Sequence, residues 1–314
     1  MKTLWLVTAL GIALGCLAIP SVGARTWYVN PAGTGDALTV QAGIDSATSG
    51  DTVLVACGTY YEHDLIMKSG VCLKGENSLP PCVTIDAEHK GKLINCTNSE
   101  SSTVIEDLLM INGSSYGMTC STSRLPIQGP TVNNCIFSQN TNPTVDVLVS
   151  SPSFYNCIFF ENSGSAGTIV IVYAGSEALI SHCTFFNNST GVAVGMEGTA
   201  TIENCILAYC QQWSIYDADE MSWYGISCSD FYANGSPERD AALVQQFPSC
   251  FIADPQFCGI PGSDNFYLQS DSPCAPGNHP SGNACGIIGA LPVLCGSVKT
   301  ESRTWGSVKA LYGE

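Results

Sequence analysis

A six-residue phrase that recurs four times between Val132 and Cys210 constrains this chain more than any other feature. The copies are Val132-Asn133-Asn134-Cys135-Ile136-Phe137, Phe154-Tyr155-Asn156-Cys157-Ile158-Phe159, Ile180-Ser181-His182-Cys183-Thr184-Phe185 and Ile202-Glu203-Asn204-Cys205-Ile206-Leu207. Their cysteines lie 22, 26 and 22 residues apart, and an Asn follows five residues after the first three, at Asn140, Asn162 and Asn188. A weaker copy, Val104 to Met110, carries Asp107 and Leu108 where the others carry Asn and Cys. A period of this length is the signature of a solenoid. Helical repeats need long runs of 3.6-residue periodicity, and none is present. Three short strands per turn fit instead, so the expected fold is all-β, a single-stranded parallel β-helix of roughly nine or ten coils spaced about 4.8 Å apart.

Within each coil the apolar residue two before the Asn, the Cys, and the residue two after the Cys point inward. The Asn makes the bend, because Asn tolerates left-handed backbone and bonds its own neighbours. Stacking would place each of these Asn amides above the last and let them bond up the rod. Cys135, Cys157, Cys183 and Cys205 are then expected as a column of reduced, buried thiols, since Cys packs as a small hydrophobe. Phe137, Phe159 and Phe185 form an apolar stack beside them.

The flanks set the domain limits. Lys2, the apolar run Leu4 to Ile19 and the small residues Val22-Gly23-Ala24 read as a signal peptide over residues 1–24, with secretion or display on the outer cell surface implied; Cys16 faintly resembles a lipid-attachment site. No second apolar span is long enough to cross a bilayer in the mature chain. Thr26 to Val29 is a strand, and Val40, Ile44 and Ala47 fall at helical spacing, giving a short helix expected to cap the first coil against exposed strand edges. Glu62, His63 and Asp64 read as a solvated loop. The β-helix is expected over 25–296, with Ser236 to Gln246 a polar insertion, Asn265 to Leu268 a strand and Ile287 to Leu291 a closing strand. Residues 297–314 read as a separate tail. Of seventeen cysteines, Cys250, Cys258, Cys274, Cys285 and Cys295 sit in loops near the end, and some are expected to pair.

The formal charge is −16, or −17 without Lys2. An acidic exterior argues against nucleic acid and anionic lipid as partners. A monomer is expected.

The repeat phrase resembles the right-handed parallel β-helix repeats of the pectate-lyase-like superfamily, and in particular the Asn-Cys-Thr-Phe repeats of polymorphic outer-membrane-like bacterial proteins. Gly50 to Ala56 with Gly58-Thr59-Tyr60 is similar to the first coil of those proteins. Asp254 to Cys258, Asp271 to Cys274, Ile288 to Ala290 and Thr304 to Lys309 resemble their closing segments. The resemblance implies a right-handed coil and export, and leaves activity open, because the fold hosts lyases, hydrolases and adhesins.

A lyase of that superfamily would place an Arg or Lys base beside calcium-binding carboxylates. Arg25, Arg124, Arg239 and Arg303 all lie off the repeated strands, and the Asn-Thr-Asp, Asp-Asp and Gly-His-Gly motifs of a polygalacturonase-like hydrolase are missing. No catalytic residue is assigned. The expected ligand-binding residues are Trp213, Tyr216, Asp217, Asp219, Glu220, Trp223 and Tyr224, because aromatics stack on sugar faces and acids accept hydroxyl bonds. No cofactor is required, although those acids could hold Ca²⁺ through oxygen ligands. The expected function is a non-catalytic secreted or surface β-helix in adhesion, carbohydrate contact or envelope structure, with polysaccharide or a cell-envelope component as partner. The alternative is a carbohydrate-active enzyme, a polysaccharide lyase or glycoside hydrolase, with a non-standard site.

Overall fold

The computed structural model describes residues 23–77, 80–141, 143–164, 167–172, 175–218, 222–259 and 265–296. The signal-peptide run to residue 22 and the tail 297–314 lie outside them. The chain winds through three parallel sheets of nine, eight and seven strands. Seven successive coils each contribute one strand to each sheet in turn, as Thr131–Asn133, Ile136–Ser138 and Val145–Leu148 do in the first full copy of the phrase. The fold is an all-β parallel solenoid with two short helices. The longest sheet has nine strands, and the solenoid makes about eleven turns, more than the nine or ten coils expected. Among the described residues no helix is long and apolar enough to cross a membrane.

Inward residues line up because the register between coils is unbroken. Val132, Phe154, Ile180, Ile202 and Ile226 form one column of the nine-stranded sheet. Met110, Phe137, Phe159, Phe185, Leu207 and Phe231 form one column of the eight-stranded sheet. Cys135, Cys157, Cys183 and Cys205 are unpaired and fully buried. Their thiols approach carbonyl oxygens, as Cys157 Sγ does at Val132 (3.5 Å) and Tyr155 (3.3 Å).

The bend before each Cys is left-handed: φ is 62° at Asp107, 51° at Asn134, 52° at Asn156, 51° at His182 and 52° at Asn204. The continuous amide ladder, however, stands at the next corner. Asn140 Nδ2 donates to Asn162 Oδ1 (3.1 Å), and Asn162 Nδ2 donates to Asn188 Oδ1 (2.9 Å). Asn140, Asn162 and Asn188 are almost wholly buried there, where water cannot satisfy their amides. At the first corner the only such side-chain bond among the described residues joins Asn134 Nδ2 to Asp107 Oδ1 (3.2 Å).

Helix α1 (Val40–Ser46) packs beside the first coil through Val40, Gly43 and Ile44. A Cβ on Gly43 would lie 2.6 Å from Val29 Cγ2, so only Gly permits this approach. Glu62 is no free loop residue, because its carboxylate accepts the N–H groups of Val40 (2.7 Å) and Gln41 (3.0 Å) at the start of α1. Ser236 to Gln246 is likewise no plain insertion. Pro237–Gln246 is helix α2, which places Leu243, Val244 and Phe247 on the main core. Its buried Asp240 accepts hydrogen bonds from Ser214 and Asn234.

The end of the chain departs most from expectation. Residues 251–259 and 265–291 do not close the rod; they fold back across the outer face of the eight-stranded sheet. Ile158, Phe186, Ile206 and Ala208 face outward there and are buried by Phe251, Phe266, Leu268, Cys274, Ile288, Ala290 and Leu291. The final strand pair is Leu268–Gln269 with Val293–Cys295, while Ile287 to Leu291 forms no strand. Disulfides Cys228–Cys285 and Cys258–Cys295 fasten the segment, Cys57–Cys82 joins two early coils, and Cys250 and Cys274 stay unpaired.

Under this cover Asp230 is fully buried, accepting the N–H of Ala253 (3.0 Å) and facing Cys274 Sγ (3.5 Å). Burial pushes its carboxyl well above the usual range. The folded state therefore holds a proton that the unfolded chain releases near pH 4, and stability falls as pH rises from there toward the folded value. Asp230→Asn keeps an acceptor for Ala253 and removes the ionisable group. We expect it to raise Tm at pH 7 by at least about 2 °C and to flatten the fall in Tm above pH 4, as thermal unfolding across pH will show.

Candidate functional site

Three outer faces are available to a ligand, and the eight-stranded one is covered. On the nine-stranded face the register brings Leu54, Lys74, Glu106, Asn133, Tyr155, Ser181, Glu203 and Ser227 into one row. Its polar groups satisfy one another. Lys74 Nζ lies 2.6 Å from Glu106 and 3.3 Å from Asp107. Ser181 Oγ donates to Glu203 (2.9 Å) and meets His182 Nδ1 (2.9 Å). A nucleophilic triad needs the acid on the imidazole and an accessible hydroxyl. Here the acid bonds the Ser, and Ser181 is 2% exposed. The cluster braces two coils.

The seven-stranded face differs. Its outward row runs Ile66, Asn95, Thr119, Asp146, Val170, Ala193 and Tyr216. These residues point out because Val145, Val147, Ile169, Ile171, Val192, Val194 and Ile215, which alternate with them, fill the core. Thr119, Asp146, Val170 and Ala193 are nevertheless buried, so the floor of this face is sheltered. Asp146 is 7% exposed. Burial raises its carboxyl above the usual range, with Lys92 pulling the other way. Lys92 Nζ lies 5.4 Å from the ring centre of Tyr116. Thr119 Oγ1, beside Asp146 in the register, has no hydrogen-bond partner among the described residues.

At the other end of the row Tyr216 meets Trp213, with ring centres 4.7 Å apart and planes tilted by 31°. The pair stands on the strand Trp213–Asp217, the last of the sheet. From Asp146 to Tyr216 is three strand steps, about 14 Å. The face thus offers an aromatic platform at one end and, at the middle of the row, a sheltered acid with a cation near it.

The segment expected to bind ligand is only partly gathered. Trp213, Tyr216 and Asp217 share one strand, but Trp223 and Tyr224 begin the strand Trp223–Ser227 of the nine-stranded sheet. Trp223 is 60% exposed and its indole lies over Gly225. Tyr224 turns toward Phe247 of the α2 end, at 6.2 Å between ring centres. Asp219 and Glu220 lie outside the described residues. Among the described residues no cluster of three His, Cys, Asp or Glu side chains is placed to hold a metal. Sequence reasoning passed over Asp146, Lys92 and Tyr116. Asp146 carried a readable signal, a charge at the outward position of Val145-Asp146-Val147-Leu148.

Residues 92–236 match the family model described as the right handed beta helix region. Across that stretch the chain is a right-handed β-helix. No curated protein matches the chain significantly. Among solved structures, the β-helix is similar to the pectate lyase Pel9A at 11% identity, covering 87% of this chain and 97% of that one, with a TM-score of 0.36. It is similar to the pectin methylesterase of Aspergillus niger at 15% identity, covering 69% and 87%, with a TM-score of 0.34. The A-module of the mannuronan C-5 epimerase AlgE4 of Azotobacter vinelandii matches at 14% identity, covering 62% and 67%, with a TM-score of 0.32. No residue of the site is inferred from these likenesses.

Proposed function

We propose that this β-helix is a secreted or surface-displayed protein that holds polysaccharide along the outer face of its seven-stranded sheet without cleaving it. The observation that carries the reading is the Trp213–Tyr216 pair at the end of a sheltered outward row. Aromatic faces take up the apolar side of a sugar ring, and a row parallel to the rod axis suits a linear chain. The acid content of the face supports binding over hydrolysis. Glycoside hydrolysis uses two carboxyl groups about 5–9.5 Å apart. Two strand steps to either side of Asp146, the row holds Asn95, Thr119, Val170 and Ala193, with no second acid.

The raised carboxyl of Asp146 favours one alternative, a carbohydrate-active enzyme in which that group is a proton donor. Affinity electrophoresis through gels containing neutral and acidic polysaccharides separates the two, with products followed by reducing ends and unsaturated-product absorbance. Retardation without products is expected. Trp213→Ala and Tyr216→Ala should each weaken retardation about tenfold, roughly 1.4 kcal/mol. Turnover abolished by Asp146→Asn would replace the binding reading with the enzymatic one.

A further inference from the structure

A cavity of about 210 Å³ opens where the strands Ile94–Thr97 and Met118–Ser121 leave the seven-stranded sheet. Asn98, Ser99, Glu100, Thr122, Arg124 and Gln128 line it, together with two apolar residues. Asn98 fixes its shape, because Asn98 Oδ1 accepts from Thr122 Oγ1 (3.2 Å), Ser123 N (3.0 Å) and Ser123 Oγ (3.2 Å). The Arg124 backbone N–H donates to Thr122 Oγ1 (3.1 Å), which fixes the main chain of Arg124 beside the cavity it lines.

Two observations make this wall unusual. Arg25, by contrast with Arg124, pairs with Asp36 (3.0 Å) and covers the Trp27 ring. Arg124 has no carboxylate within ion-pair distance among the described residues. Ser99, only 3% exposed, holds an Oγ without a hydrogen-bond partner among the described residues. A guanidinium is a planar fork matched to a carboxylate. Glu100 on the same wall repels a bare anion and accepts from hydroxyls, as do Asn98 and Gln128.

We propose that this cavity binds a sugar acid, with Arg124 on the carboxylate and the Glu100 and Gln128 side on ring hydroxyls. The proposal rests on the polysaccharide reading above and names the substrate class as acidic. Thr122 of the cavity wall directly follows the strand Met118–Ser121, which carries Thr119 of the sheltered face.

The test uses the full chain and ligand-observed saturation-transfer NMR with D-glucuronate, methyl α-D-glucopyranoside and acetate as probes. Glucuronate is expected to bind, the glucoside and acetate at least tenfold more weakly. Arg124→Gln, an exposed change checked for an unaltered Tm, is expected to weaken glucuronate at least tenfold. No glucuronate binding, equal binding by Arg124→Gln, or acetate or the glucoside binding as tightly as glucuronate would each overturn the proposal. Polysaccharide retardation that needs Trp213 but ignores Arg124→Gln would remove this inference and leave the proposed function standing.

Discussion

Replacing Phe159 by Ala is expected to lower the unfolding free energy by about 3–5 kcal/mol. Its ring is fully buried and lies between Phe137 at 4.9 Å and Phe185 at 4.8 Å, both within 10° of parallel. Phe154 meets it edge-on at 6.1 Å. Removing the ring deletes contacts in three coils at once, and the fixed inter-strand hydrogen bonds prevent collapse onto the void. Urea denaturation should show a lower midpoint with an unchanged slope. A loss under about 1 kcal/mol would mean that the stacked column is not part of the core.

Asn162→Ala is expected to cost on the order of 3 kcal/mol or more, from buried groups left unpaired at about 1–3 kcal/mol each. Asn162 Oδ1 accepts from Asn140 N (3.1 Å) and Asn140 Nδ2 (3.1 Å). Its Nδ2 donates to Phe137 O (3.0 Å) and Asn188 Oδ1 (2.9 Å). One truncation therefore orphans groups in the coils above and below. Hydrogen exchange at the Asn140 amide should accelerate along with the fall in urea midpoint. Unchanged protection at Asn140 would contradict the ladder.

Much of this core was readable because a solenoid repeats its environment. Cys135, Cys157, Cys183 and Cys205 recur in sequence as they stack in space, and Asn134, Asn156, His182 and Asn204 mark the bends they were expected to mark. What was hidden lacks a period. Phe160 and Phe186 sit beside Phe159 and Phe185 in the sequence, so their outward direction was masked by an apolar run. The segment that covers them comes from beyond residue 250 and follows no repeat. The binding segment failed for a related reason. Trp213 and Trp223 are ten residues apart in the chain, yet a solenoid corner assigns them to different sheets. Asp146, outside the phrase, gained importance only from its neighbours in the next coils.

The column of thiols fixes an order of events during assembly. Ten cysteines among the described residues remain reduced beside six that pair. Disulfide exchange proceeds through thiolate, and burial pushes the thiols of Cys135 and Cys183 well above their ordinary range. Once coils have stacked, these sulfurs are chemically silent. Before stacking they are ordinary competitors for Cys57, Cys82, Cys228, Cys258, Cys285 and Cys295. Correct connectivity in an oxidising milieu therefore depends on a race that coil closure must win.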